Sequence, residues 1–370
     1  MSGRPPMKAL AIHAGPKALA HIREHGLRAQ DVAIIPAAAG GPKGLIFQKM
    51  DQWLFGSWLP SAPRERTLIG ASIGAWRMAA ACQQDPVEAF RKLGDLYCEQ
   101  CYPRKPTPRY VTESCERFLA EFITGQEEYV TAHPHYRLQI LVSRGRRLLK
   151  APKRNLAVTT GFGLAVLGNL VSRSQLANHL SRFVFGDERD PAFWLKAKFD
   201  AFDTQFTALS PDNLGSALLA SGTLPFIMEP VRNIPGAPDG TYWDGGVIDY
   251  HLALPYSRVA GNPEGGLVLY PHFGEHIVPG WLDKSLPWRR ANFGRQSDWL
   301  DNVILLSPSR AFLQTLTRSK LPDRNDFLYY GEKNDFRILN WKLAISEGAR
   351  LRDELAEFVE NPDPARIQPI

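Results

Sequence analysis

Thr67-Leu68-Ile69-Gly70-Ala71-Ser72-Ile73-Gly74-Ala75-Trp76 reads as a short apolar strand, a sharp turn and the start of a helix. Gly70, Ser72 and Gly74 form the pattern G-x-S-x-G. A serine at its centre sits on a strained strand-to-helix turn, with its hydroxyl presented above the sheet edge. The flanking positions take glycine because side chains there would collide in so tight a turn. The helix that follows points its amino end at the serine, which favours developing negative charge. An ordinary strand–turn–helix with a surface serine fits the same five residues, so the reading depends on two further stretches.

The first lies upstream. Residues 31–36, Asp-Val-Ala-Ile-Ile-Pro, read as a short buried strand, and Ala37-Ala38-Ala39-Gly40-Gly41-Pro42-Lys43-Gly44-Leu45 follows. Glycines between a strand and a helix make a loop whose backbone N–H groups can face a ligand. Pro42 suits the first turn of a helix over 43–54. It has no N–H, so an anion held here would be bound by the amides of Gly40, Gly41 and Lys43. The phosphate-loop pattern G-x-x-x-x-G-K-[ST] is missing, and Ala39 spoils G-x-G-x-x-G. The second stretch is Thr241-Tyr242-Trp243-Asp244-Gly245-Gly246. Its turn leaves the Asp244 carboxylate open on one side, although Asp-Gly is also a common hairpin signal.

The 370 residues suffice for a large core, and 44% apolar with 22% charged residues is an ordinary globular composition. Net charge is +6, a mildly basic balance that suits anionic surfaces or substrates. No basic arm or zinc-finger spacing points to nucleic acid. The amino terminus shows no apolar leader and no run is long enough to span a bilayer, so a cytoplasmic location is expected. Cys98 and Cys101 form a C-x-x-C, but Cys82 and Cys115 do not form a second one, so reduced thiols on packed helices are expected rather than a metal site.

Along the chain, 1–30 reads as an N-terminal helical segment, helical over 7–27 with an interruption at Gly15-Pro16 and a stop at Gly26. Helices are expected over 73–82, 86–101 and 111–123, and strands over 136–143, 202–209, 266–271 and 302–308. A helix starts at Ser210-Pro211, with Ser210 as cap. A strongly periodic helix spans 340–359, followed by a loose tail. Residues 31–255 form the central unit, with an insertion over 144–200, and 256–370 complete or extend the same domain. Within the insertion, Arg144, Arg146, Arg147, Lys150, Lys153 and Arg154 precede an apolar run over 156–171. A basic flank beside an apolar helix suits peripheral contact with an anionic membrane through 144–171. A core-facing insertion with a solvated basic edge is the alternative.

Taken in order, the glycine loop, the G-x-S-x-G turn and the Asp-Gly-Gly resemble the patatin-like phospholipase family. The resemblance rests on Gly40-Gly41-Pro42-Lys43-Gly44, Gly70-Ala71-Ser72-Ile73-Gly74 and Asp244-Gly245-Gly246, and on Ala220-Ser221-Gly222-Thr223-Leu224-Pro225 before the aspartate. It implies a three-layer α/β/α sandwich around a mostly parallel sheet. It implies a lipid acyl hydrolase with Ser72 as nucleophile, Asp244 as base, and an oxyanion hole of the Gly40, Gly41 and Lys43 amides. Such chemistry acts on lipid or other acyl esters and requires no metal or organic cofactor. Two departures stand out: Ala39 replaces a third glycine, and Val247-Ile248-Asp249-Tyr250-His251 follows the Asp-Gly-Gly instead of an early asparagine and proline.

The physical logic agrees with the resemblance. A serine hydroxyl is a weak nucleophile until a base takes its proton. Burial raises the basicity of a carboxylate enough for direct serine–aspartate transfer. Two rival readings remain: a serine esterase with a conventional triad completed by His251, His272 or His276, and an inactive lipid-binding or regulatory relative.

Overall fold

A computed structural model describes residues 8–152, 155–190, 193–259, 266–292 and 297–370. Ten strands form one sheet: β1 (Leu10–Ala14), β2 (Val32–Ala37), β3 (Arg66–Ala71), β4 (Tyr136–Gly145), β5 (Leu180–Gly186), β6 (Thr204–Ala208), β7 (Tyr242–Asp244), β8 (Leu267–Pro271), β9 (Val303–Pro308) and β10 (Ile367–Pro369). Their order is β10-β1-β9-β8-β2-β3-β4-β5-β6, with β7 added on β4. Pairing is parallel except for β1 with β9, β4 with β5 and β4 with β7. This is an α/β fold with a mixed, mostly parallel sheet.

The central strands are apolar on both sides because the sheet is covered on both. Alternate side chains point to opposite faces. Ile35, Leu68, Ile140, Leu269 and Leu306 enter one core, while Ile34, Ile69, Leu141, Val268 and Leu305 enter the other. The first core is roofed by the helices Pro16–His25, Ile73–Ala81, Pro86–Glu99, Pro108–Ile123, Pro211–Gly222 and Ala349–Glu360. The second is closed largely by irregular chain and short 3-10 turns, such as Tyr256–Val259 and Trp281–Asp283.

Four expectations need correction. The helix expected over 7–27 begins only at Pro16, and Leu10–Ala14 is strand β1. Leu10, Ile12 and Ala14 alternate into the core, and β9 and β10 supply their backbone partners from the far end of the chain. The tail expected to be loose contributes β10, paired in parallel with β1. The helix expected over 340–359 is two, Asn334–Glu347 and Ala349–Glu360. They part at Gly348, where a Cβ would lie 2.3 Å from the Ile46 carbonyl oxygen. The insertion is also shorter than 144–200. Arg144 and Gly145 still belong to β4, and Leu180–Gly186 is strand β5.

Register on β4 positions the site. Strand β3 runs beside β4 until Ala71 faces Leu141. Strand β5 occupies the other edge of β4 over Gln139–Gly145. Strand β7 therefore takes the edge that β3 vacates, with Asp244 facing Val142.

Candidate active site

The turn after β3 places Ser72 at φ 56° and ψ −132°, a backbone conformation that a residue with a side chain adopts only under strain. A Cβ on Gly74 would lie 1.8 Å from the Ala37 carbonyl oxygen, and one on Gly70 would lie 2.5 Å from the Ala75 Cα. Both glycines of G-x-S-x-G are thus needed to bring helix Ile73–Ala81 down against β2 and β3. The turn is pinned from a third element. The Ser72 N–H donates to Ser221 Oγ at 2.9 Å, and Ser221 Oγ donates to the Leu141 carbonyl at 2.7 Å. Ser221 belongs to the Ala-Ser block before the aspartate, and here it ties the serine turn to β4.

Ser72 Oγ donates to Asp244 Oδ2 at 2.7 Å, across 172 residues of chain. Both side chains are buried, each 3% exposed as residues. The other carboxylate oxygen, Oδ1, accepts the Gly246 N–H at 2.6 Å, and the Asp244 N–H donates to the Thr223 carbonyl at 2.7 Å. Gly245 is required by close packing, since a Cβ there would stand 2.2 Å from the Leu141 carbonyl oxygen. Burial pushes the Asp244 carboxyl above its usual range. Arg324, the Ser72 hydroxyl, the Gly246 N–H and Lys284 pull it back in part.

A cavity of about 270 Å³ opens over the pair, lined by Ser72, Asp244, Gly246, Ala39, Gly40 and Lys43 among others. Gly41 and Gly44 are buried in the 3-10 turn Gly41–Phe47 and do not line it. The helix expected over 43–54 opens with this turn and becomes α-helical at Gln48–Trp53. At a helix start the first N–H groups have no acceptor within the helix. The Ala39 N–H is committed to the Tyr250 carbonyl at 2.9 Å. Its methyl group lies against Gly246, where an added Cβ would come within 2.7 Å of it. Ala39 therefore buttresses the aspartate turn.

Three cations of this cavity carried no motif: Lys43 as a side chain, Lys284 and Arg324. The Lys43 ammonium stands 4.9 Å from the centre of the Phe273 ring, and the Lys284 ammonium 4.2 Å from that of Tyr250. Burial lowers both from the usual lysine value. Lys284 falls to about 8, with Lys43 and Arg324 adding to the effect. Lys284 and Arg324 come from segments with no glycine pattern or periodicity to mark them, so no sequence signal pointed to them.

The histidines lie elsewhere. None of His251, His272 and His276 lines the cavity. His251 Nδ1 accepts the Val278 N–H at 3.0 Å, and His272 Nδ1 faces the Gly274 backbone. Burial lowers the pKa of both, His272 to about 4. Among the described residues no histidine hydrogen-bonds to Ser72 or Asp244, so the triad reading lacks its third member.

No protein-family model matches the chain. No curated protein matches it either. Among solved structures the chain is similar to VipD from Legionella pneumophila, at 13% identity and a TM-score of 0.36, covering 96% of this chain and 71% of that one. At that distance the likeness carries no chemistry to this chain.

Proposed function

We propose that the chain hydrolyses fatty acyl esters of lipids through a covalent acyl-enzyme on Ser72, with Asp244 as the proton acceptor. The observation that carries this reading is the 2.7 Å hydrogen bond from Ser72 Oγ to Asp244 Oδ2 at the floor of a cavity, with the serine on a strained turn. Asp244 takes the hydroxyl proton as Oγ attacks the ester carbonyl carbon. The carbonyl oxygen becomes an oxyanion, held by amides of the glycine loop at Gly40 and Lys43, the two members of the expected set that line the cavity. Loss of one such donor typically costs about 10²–10³ in rate. Collapse expels the alcohol, which takes the proton from Asp244. Water then attacks the acyl-enzyme, giving its proton to Asp244, and Ser72 leaves with that proton restored.

A second observation supports action at a lipid surface. Helix Asn155–Val171 has no charged residue in its 17 positions. Phe162, Ala165 and Asn169 face inward, while Leu156, Leu164, Leu167, Leu170 and Val171 are exposed. Five large apolar side chains on the open side of an uncharged helix are out of place in water. Phe226 and Ile227 are exposed too, and the Phe226 ring packs on Phe162 at 5.5 Å. Phe162 shares a core with Val247 and Trp281, which line the cavity. Arg146, Arg147 and Lys150 are exposed at the start of this segment, while Lys153 and Arg154 lie outside the described residues. Apolar side chains beside basic ones suit the surface of an anionic bilayer. No helix among the described residues is long and apolar enough to cross a membrane.

The deciding experiment is a lipid panel assayed with wild type and Ser72→Ala side by side, with fluorophosphonate labelling of Ser72. Acyl release and labelling by wild type alone support the reading. Acyl release by both proteins refutes Ser72 as nucleophile, and no labelling or release under any condition favours the inactive lipid-binding relative.

A further inference from the structure

We infer that Ser221, near the carboxyl end of helix Pro211–Gly222, is a positioning residue that sets where the Ser72 hydroxyl stands against Asp244. This rests on the hydrolase reading and adds to it a residue that touches no substrate. Ser221 is fully buried and does not line the cavity over the pair. Its hydroxyl proton goes to the Leu141 carbonyl at 2.7 Å, which turns an oxygen lone pair toward the Ser72 N–H at 2.9 Å. Two residues on, the Thr223 carbonyl accepts the Asp244 N–H at 2.7 Å. Residues 221–223 thus meet the backbone N–H of both members of the pair. They also reach β4 at Leu141, beside the Val142 that faces Asp244.

The helix end is itself held on several sides. Trp76, on the helix that follows Ser72, donates from Nε1 to the Leu218 carbonyl at 2.9 Å. Thr223 donates from its N–H to the Ala220 carbonyl at 3.1 Å and from Oγ1 to the Leu219 carbonyl at 2.8 Å. A Cβ on Gly222 would stand 3.1 Å from the Trp76 ring, so the two helices are closely seated there. Ser72 lies just past the end of β3, and its buried N–H is paired with a side chain rather than with a neighbouring strand. Without the Ser221 hydroxyl, that N–H and the Leu141 carbonyl lose this partner in the interior, where an unpaired polar group is costly. Strained backbone persists only where its surroundings over-determine it. Removing the hydroxyl takes one such restraint from Ser72, at φ 56°, and lets Oγ move relative to Asp244. A misplacement of about 1 Å can cost about 10²-fold in rate.

The test uses the full chain, p-nitrophenyl butyrate and Ser221→Ala. We expect kcat to fall by about 10- to 100-fold with KM within about twofold, since no substrate contact is lost. With Ser72 displaced, Asp244 loses part of the hydrogen bonding that favours its ionised form, so the acidic limb of the pH profile should move to higher pH. Arg324, Lys284, Lys43, Asp323 and Tyr250, which line the same cavity, and Tyr97, whose hydroxyl senses Asp244, are unchanged in this variant. Ser221→Cys keeps a weak donor and acceptor and should recover part of the rate. Leu355→Ala opens a cavity in the same apolar core on another helix, and should lower the melting temperature while leaving kcat within about twofold and the limb in place. Wild-type kcat and limb in folded Ser221→Ala, or equal changes in Leu355→Ala, overturn the positioning role. If Ser221→Ala does not fold, Ser221→Cys decides: a lower kcat at unchanged KM with a raised limb supports the role, and wild-type kinetics overturn it. If wild type turns over no ester, the hydrolase reading fails, and the Ser72 amide proton resonance still tests the contact. An upfield shift in Ser221→Ala that is absent from Leu355→Ala supports it, and an unmoved resonance overturns it.

Discussion

Asp244 ends β7 opposite Val142, one residue along β4 from the point where Ala71 ends β3 opposite Leu141. Two segments of chain thus share one edge of β4 end to end. Their meeting point sets the Ser72 hydroxyl 2.7 Å from the Asp244 carboxylate.

Replacing either member of this pair should abolish hydrolysis. Ser72→Ala removes the proposed nucleophile and Asp244→Asn the proposed proton acceptor, and each should lower kcat on a short p-nitrophenyl ester by about 10³-fold or more. Circular dichroism should show an unchanged fold. Turnover near the wild-type rate in either variant would sink the assigned roles.

The pH dependence follows from the direction of the Asp244 shift. The carboxyl must be ionised to accept a proton, and burial has raised its pKa. Activity should fall on acidification along a limb lying above the ordinary aspartate range. The same shift has a consequence for stability. A carboxyl with a raised folded-state pKa holds its proton more tightly in the folded chain than in the unfolded one. Stability from that group is present below the unfolded pKa and is lost as pH rises through the folded one. Asp244→Asn should therefore unfold at a higher temperature than wild type at pH 7. Equal melting temperatures at pH 7, measured by calorimetry, would contradict this.

His272→Gln separates the dyad from a triad. His272 is fully buried, its Nδ1 faces the Gly274 backbone, and it does not line the cavity over Ser72. The variant should lose about 1–3 kcal/mol of stability through the disturbed buried contacts. Its kcat on the p-nitrophenyl ester should remain within about tenfold of wild type, far from the loss caused by removing a triad member. Near-total loss of turnover in a folded variant would restore the triad.

Gly74→Ala tests the elbow itself. The new methyl would meet the Ala37 carbonyl oxygen at 1.8 Å, and backbone on both sides must move. We expect a loss of about 3 kcal/mol or more by urea denaturation, among the larger single-residue effects. Gly163→Ala, where nothing lies within 4 Å, should be tolerated and serves as the control.

Membrane contact is checked by vesicle flotation. Leu167→Glu with Leu170→Glu places charge on the open face of helix Asn155–Val171 and should weaken binding to phosphatidylglycerol vesicles by about tenfold or more. Reversing Arg147 and Lys150 should reduce the preference for anionic over phosphatidylcholine vesicles, by about 1 kcal/mol per residue. Binding indifferent to both changes would assign the exposed leucines to another role.

Much of this was legible along the chain because the signals are local. A glycine beside a strained serine, an apolar run long enough for a buried strand and a Ser-Pro helix start each reflect backbone sterics within a few residues. Ser72, Asp244 and the glycine loop were marked by such patterns, and the α/β class was what the family resemblance carried by them implied. Strand β1 and strand β10 were not, because a five-residue and a three-residue segment become strands only when distant chain supplies their partners, β9 and β10 for β1 and β1 for β10. The sequence by itself determined the sharp turns and the residue types at them, since these depend on atoms within bonding reach. Tertiary structure alone decided that β7 continues the edge that β3 leaves, and that Lys43, Lys284 and Arg324 converge over the serine. Those arrangements depend on pairing register and on where distant loops are carried, and no local energy term encodes either.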